Sequence, residues 1–151
     1  MAGNLKQRLI KAGRDFNFSE GVKVLADGVN ITAGQIVTYS GYSGPFLKVI
    51  VATNANAPTR RGRLLIAKHD IPAGGYGVCL PWKLVTGVDT SGKALGTKVY
   101  LTAAGAVVFA APGGSKDRAV GTVVHADDAT GTNTGQSGAF LFSGEYTGSE
   151  V

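Results

Sequence analysis

From Val22 onward the apolar positions come in short bursts separated by clusters of Gly, Pro, Ser, Asp and Thr. Bursts of this length, bounded by turn residues, predict β-strands. The expected strands are 22–25, 35–39, 46–52, 62–67, 76–80, 83–88, 97–102, 106–110, 118–125 and 138–143. Turn clusters stand between them at Asp27-Gly28, Ser43-Gly44-Pro45, Thr90-Ser91-Gly92 and Pro112-Gly113-Gly114-Ser115. Thr102-Ala103-Ala104-Gly105 reads as a short hairpin connection. Short strands at regular spacing predict a mainly all-β chain, a small β-barrel or sandwich of antiparallel strands.

The first residues follow a different pattern. Asn4 is placed to cap a short helix, with Leu5 and Leu9 on one face and Gly13 at its end. A helix of about two turns is marginal alone and needs a surface to lie on. Phe16 and Phe18 then alternate with Asp15, Asn17 and Ser19, the pattern of an extended segment with one apolar face. Residues 1–23 therefore read as an N-terminal arm and 24–151 as a single β domain. The alternative is an ordinary first helix packed on its own core.

One phrase occurs twice, Ile31-Thr32-Ala33-Gly34 and Ile71-Pro72-Ala73-Gly74. Each precedes strand-like sequence, with Gly giving φ freedom at the bend and Ile directed inward. Two copies are too few for a repeat protein, so the phrase reads as two similar turns.

Composition narrows the class. The 151 residues suit one domain, and 44% apolar content is enough for a core. Twenty-three glycines with only 17% charged residues fit many tight turns better than a helical bundle. The net charge of +5 is compatible with nucleic acid, acidic lipid or an acidic protein surface, and equally with no charged partner. A single Cys excludes an intrachain disulfide. The richest apolar stretch, 101–111, is too short to cross a bilayer and no secretory pattern opens the chain, so a soluble protein made in a cytoplasm is expected.

The stretch HDIPAGGYGVCLPWK, residues 69–83, invites a test for chemistry. Its glycines lack the spacing to Lys83 of a phosphate-binding loop, and Leu80 stands where a dinucleotide fingerprint needs Gly or Ala. Cys79 lies in an apolar strand, where a free Cys behaves as a small core residue. The two histidines, His69 and His125, each have Asp nearby but are too few for a metal-dependent hydrolase. Glu145 and Glu150 sit in a Gly- and Ser-rich tail, a poor setting for a glycosidase acid. The stretch therefore reads as scaffold, with Trp82 filling a core or interface space. No enzyme, metal or cofactor is expected. The tyrosines form no stripe with the basic residues along the chain: Tyr39 and Tyr42 have only Lys48 near them, so single-strand nucleic-acid binding is disfavoured unless folding assembles one.

The run GRLLIAKHDIPAGGYGVCLPWKLVTGVDTSGKALGTKVYLTAAGAVVFAAPGG…RAVGTVVHADD resembles the capsid decoration (cement, or head-stabilising) proteins of tailed bacteriophages, with β-tulip-type domains. An Ile-x-Ala-Gly turn leads to a Gly-Val strand and a second strand. Gly96-Thr97-Lys98-Val99-Tyr100, a hairpin and a Val-Gly-Thr-Val strand follow. The resemblance covers about 62–125, less than half the chain, and carries over no functional residue. It implies a non-enzymatic protein on the outer surface of an expanded capsid in the virion, made in the bacterial cytoplasm. It further implies homotrimers bound to the major capsid protein, with neither nucleic acid nor membrane as partner.

Exposure and charge, rather than the family, nominate contact residues. Leu5, Leu9, Ile10, Phe16 and Phe18 offer apolar contacts. Lys6, Arg8, Lys11 and Arg14 suit an acidic shell, and Arg60, Arg61 and Arg63 form a second basic group in a polar loop. The rival readings are a tail-tube or fibre component, and a carbohydrate-binding module with Trp82 and Tyr42 as its platform.

Overall fold

The computed structural model describes residues 21–55, 62–111, 119–126 and 138–144. These are all-β, with ten strands in two sheets. The strands are β1 (Val22–Ala26), β2 (Ile36–Ser43), β3 (Phe46–Val51), β4 (Leu64–Ala67), β5 (Tyr76–Leu80), β6 (Trp82–Val88), β7 (Lys98–Leu101), β8 (Val107–Val108), β9 (Ala119–His125) and β10 (Gly138–Ser143). Each expected strand is present, with shifted ends at most. The expected helix from Asn4 lies outside the described residues, as does most of the polar loop that carries Arg60 and Arg61.

The first five strands close into a barrel in the order β1-β3-β2-β4-β5. The other five form a sheet, curled into a half-barrel, in the order β6-β10-β9-β7-β8. Neighbours pair antiparallel except β1 with β3, which run parallel. The Thr102–Gly105 connection closes the β7–β8 hairpin through Thr102 N–H to Ala106 O and Gly105 N–H to Thr102 O.

Two cores hold this arrangement. Val24, Ala26, Ile31, Val37, Val49, Leu65, Ala67, Ile71 and Cys79 fill the barrel. Ile36, Ala52, Leu64 and Ile66 point out of it and pack against Val99, Leu101, Val120, Val123, Phe140 and Phe142 of the second sheet. Strand β4 serves both cores, which is why Leu64-Leu65-Ile66-Ala67 is an unbroken apolar run with all four residues buried. Each large side chain buried this way contributes about 1.5–3 kcal/mol of transfer free energy.

The two Ile-x-Ala-Gly phrases are more than similar turns. Ile31 and Ile71 are bridged to each other, and both are buried. Ala33 N–H donates to Asp70 Oδ1 at 2.8 Å, and Ala73 N–H donates to Asn30 Oδ1 at 2.9 Å. Gly34 N–H reaches Ala67 O and Gly74 N–H reaches Ala26 O, both at 2.9 Å. Ala26 N–H to Gly75 O and Ala67 N–H to Gln35 O complete the exchange. The units β1–turn–β2 and β4–turn–β5 are thus related by an approximate twofold axis, and their turns clasp each other. β3 is the odd strand, wedged between β1 and β2.

Candidate functional site

Cys79, His69 and Asp70, three of the groups the sequence singles out, are engaged structurally. Cys79 is fully buried in the barrel core, and burial pushes its thiol up to about 12. At neutral pH it is a protonated core atom, not a nucleophile. His69 uses both ring nitrogens: Nε2 accepts the Val78 N–H at 3.1 Å, and Nδ1 lies 2.9 Å from Asp70 O. With Nε2 accepting, the proton sits on Nδ1 and is donated to that carbonyl. The ring supplies sheet hydrogen bonds where the strand pairing ends. The Asp70 carboxylate is turned to Ala33 N–H, so His69 and Asp70 are not paired through their side chains as a base and its orienter. Among the described residues no group of three or more His, Cys, Asp or Glu is placed to hold a metal ion.

The remaining candidates are surfaces. On the outer barrel face, Phe46 of β3 and Tyr76 of β5 reach across the intervening β1 and meet edge to face, 4.8 Å between centroids. Lys23 of β1 sets its ammonium 6.0 Å from the Phe46 ring centre, within cation–π range. Alternation explains the grouping: Lys23 is exposed while its neighbours Val22 and Val24 pack with the barrel core. Beside it, Lys48 Nζ pairs with Asp27 Oδ1 at 3.1 Å, and Ser40 Oγ donates to Asp27 Oδ2 at 2.7 Å. The Ser40 hydrogen bond, then Lys48, hold the Asp27 carboxyl below the usual carboxylate range. Ser40 reaches it because β2 carries an irregularity between Tyr39 and Gly41. The face thus offers aromatic surface, an exposed lysine and a fixed ion pair.

Sequence reading did not assemble this cluster. Lys23, Phe46 and Tyr76 lie on three strands with no local signal linking them; only the parallel β1–β3 pairing and the antiparallel β1–β5 pairing join them.

A second face lies on the other sheet. Trp82 and Leu84 of β6 and Leu141 of β10 are exposed on one side, with Leu84 directly opposite Leu141. Of the two spaces expected for Trp82, the core is excluded: the residue is 53% exposed. After the bend at Pro81, Lys83 and Val85 take the half-buried positions and Trp82 and Leu84 the outer ones. Tyr42, 81% exposed, lies on the barrel strand β2, so Trp82 and Tyr42 stand on different sheets.

Of the contact residues read from the sequence, the structure places Arg63, which is exposed just before β4. Leu5, Lys6, Arg8, Leu9, Ile10, Lys11, Arg14, Phe16, Phe18, Arg60 and Arg61 lie outside the described residues. Comparison of the chain with family models, curated proteins and solved structures finds no match in any of the three.

Proposed function

We propose that the chain is a non-enzymatic capsid decoration protein that binds the outer surface of an expanded phage capsid and braces neighbouring major capsid subunits, as a homotrimer. The observation that carries this reading is the order of turn and strand phrases across 62–125, from the Ile71 turn to the Val120–Val124 strand. A body with two cores sharing β4 is a suitable brace, because deforming either sheet disturbs both. Its accessible chemistry is that of a contact surface: the Lys23–Phe46–Tyr76 cluster on one sheet and the Trp82–Leu84–Leu141 face on the other. Aromatic anchors supply much of the energy at protein interfaces, and a cation adds to it where the partner surface carries the opposite charge. Repetition on a symmetric shell multiplies weak contacts, since a trimer engages several copies together.

The test is cosedimentation with expanded and with unexpanded capsids. Binding restricted to the expanded form is the expected outcome. Equal failure with both, or binding to tail structures instead, overturns the reading. Deletion of residues 1–20 distinguishes arm from body: unchanged capsid affinity removes the arm from the contact while leaving the decoration role intact. Glycan binding lost on Trp82→Ala points instead to a carbohydrate module.

A further inference from the structure

An antiparallel sheet packed on one side normally alternates apolar residues inward with polar residues outward. β6 and β10 depart from that rule. Their inward positions, Val85, Phe140 and Phe142, belong to the second core or pack against it. Their outward positions hold Trp82, Leu84 and Leu141, all exposed. Ala139-Phe140-Leu141-Phe142 is an unbroken apolar run like Leu64–Ala67 of β4. In β4 that composition goes with burial on both faces. In β10 one chain covers only the inner face and leaves Leu141 open.

The outward residues form one surface. Leu84 stands opposite Leu141, Leu141 opposite Thr122 of β9, and Trp82 opposite Ser143. Among the described residues of these three strands, no Asp, Glu, Lys or Arg stands on that side; Lys83 takes an inner, half-buried position. The nearest charge along the row is Lys98 of β7, opposite Thr122. The rest of the described surface is different. Seven Lys and Arg stand there against three Asp. Each Asp accepts a hydrogen bond within the chain, Asp27 from Ser40, Asp70 from Ala33 N–H and Asp89 from Ser91 N–H. An acidic partner is drawn to lysines such as Lys23 on the barrel face, not to an uncharged patch. Two copies of this chain repel wherever their cationic surfaces come together. On the Trp82 face they meet without opposing like charges, and apolar surface depleted of charge is the composition of interface centres.

We infer that the Trp82–Leu84–Leu141 face is the contact between copies of this chain. A closed assembly turns this face of each copy toward a common axis, so that the indole and both leucines of one copy cover those of the next. The hydroxyls of Thr122 and Ser143 border the apolar patch. The Lys23–Phe46–Tyr76 cluster lies on the other sheet and is left for a partner of opposite charge. The inference names the copy-to-copy contact of the homotrimer proposed above, but it concerns the free chain and does not rest on capsid binding.

Trp82 is the only tryptophan in the chain, so its fluorescence reports this face alone. The full chain is expected to sediment as a multiple of its own mass, with Trp82 shielded from acrylamide quenching. The double change Leu84→Ser and Leu141→Ser alters exposed residues only. It should raise the concentration needed for association by about tenfold or more and open Trp82 to the quencher. Association should hold as salt rises, because the contact carries no charge pair to screen. A parent chain that stays monomeric up to about 0.1 mM overturns the inference. So does association in which Trp82 stays as open to quencher as in the Leu84→Ser, Leu141→Ser variant, or association that salt dissolves. The parent's dilution and quenching decide the matter even if the variant fails to fold. A monomer whose Trp82 is shielded only on expanded capsids gives the face to the shell, overturning this inference and sparing the capsid reading. An associated chain with Trp82 shielded that binds no capsid does the reverse.

Discussion

Ile31 and Ile71 exchange both of their backbone hydrogen bonds, N–H to O at 2.8 Å one way and 2.7 Å the other. The residue before each isoleucine caps the other turn, Asn30 to Ala73 N–H and Asp70 to Ala33 N–H. The barrel is therefore locked at one point by two turns that each complete the other. The copies differ where chemistry requires it. Thr32 N–H is satisfied by Gln35 Oε1, whereas Pro72 has no N–H to satisfy and Gly75 has no side chain, its Cβ direction being filled by Pro72.

If the caps act as one device, each should cost a similar amount to remove. Asp70→Ala and Asn30→Ala are expected to destabilise by about 1 kcal/mol each, read from urea midpoints at constant m-value. Asp70→Asn should cost clearly less than Asp70→Ala, because Asn30 already does the same work with an amide. An Asp70→Asn loss as large as the alanine loss would mean that the charge, rather than the hydrogen bond, holds the turn.

The joint between the two cores gives a sharper prediction. Gly144 donates to Pro81 O at 3.1 Å and accepts from Leu64 N–H at 2.8 Å. A Cβ at Gly144 would collide with the Leu64 carbonyl, a backbone atom that cannot swing aside. Gly144→Ala should therefore destabilise by about 2–3 kcal/mol, seen as a lowered thermal midpoint. Gly34→Ala meets open space at a φ of +85° and should cost only about 1 kcal/mol, the left-handed backbone term alone. A reversed order would show that the joint is more pliable than its packing implies.

Much of this architecture was legible in the sequence and some was not, for physical reasons. Strand positions follow from local alternation and turn chemistry, so all ten could be read from windows of a few residues. Leu64–Ala67 was legible even without alternation, since a short unbroken apolar run is what burial on both faces demands. The division into barrel and half-barrel was not, because pairings such as β1 with β5 or β6 with β10 join segments far apart in the chain. The same blindness hid the Lys23–Phe46–Tyr76 cluster. The sequence left Trp82 between a core and an interface space; its exposure excludes the core, and that outcome depends on which face of β6 turns to the second core and so on pairing with β10. The duplicated turn was visible as a phrase, but its meaning lies in contacts between its copies.

Thr38 offers a stabilising change. It is buried on β2, and Thr38 Oγ1 has no hydrogen-bond partner among the described residues. A buried hydroxyl without a partner costs about 1–3 kcal/mol. Thr38→Val keeps the shape and removes that group, so a gain of about 1 kcal/mol and a thermal midpoint a few degrees higher are expected. A loss of stability would show that the hydroxyl is bonded after all.

Cys79 predicts how stability depends on alkaline pH. The unfolded thiol ionises near about 8.5, and the folded one only near about 12. Below the lower value both states hold the proton and nothing changes. Above it the unfolded chain ionises alone, so stability falls as pH rises, by about 1.4 kcal/mol per unit until the folded value is reached. Lysines and tyrosines titrate in parent and variant alike. The stability difference between the parent and Cys79→Ala should therefore shrink between about pH 9 and 11 at that slope. A constant difference would mean that the thiol ionises equally easily in both states.

The last prediction concerns the barrel face. If it meets the shell, Lys23→Ala combined with Tyr76→Ala removes the cation and one ring of the cluster while leaving both cores untouched. Both residues are exposed, so the thermal midpoint should hold within the small range usual for surface changes. Loss of an aromatic and a cationic anchor at an interface is worth about 1.4 kcal/mol or more, so capsid affinity should fall about tenfold in cosedimentation. The deficit should deepen at low salt, where the missing lysine counts most, and narrow as salt screens the parent's attraction. Full affinity in the double variant would remove the barrel face from the contact and leave the arm and the Trp82–Leu84–Leu141 face, which the deletion of residues 1–20 and the pair Leu84→Ser with Leu141→Ser would separate.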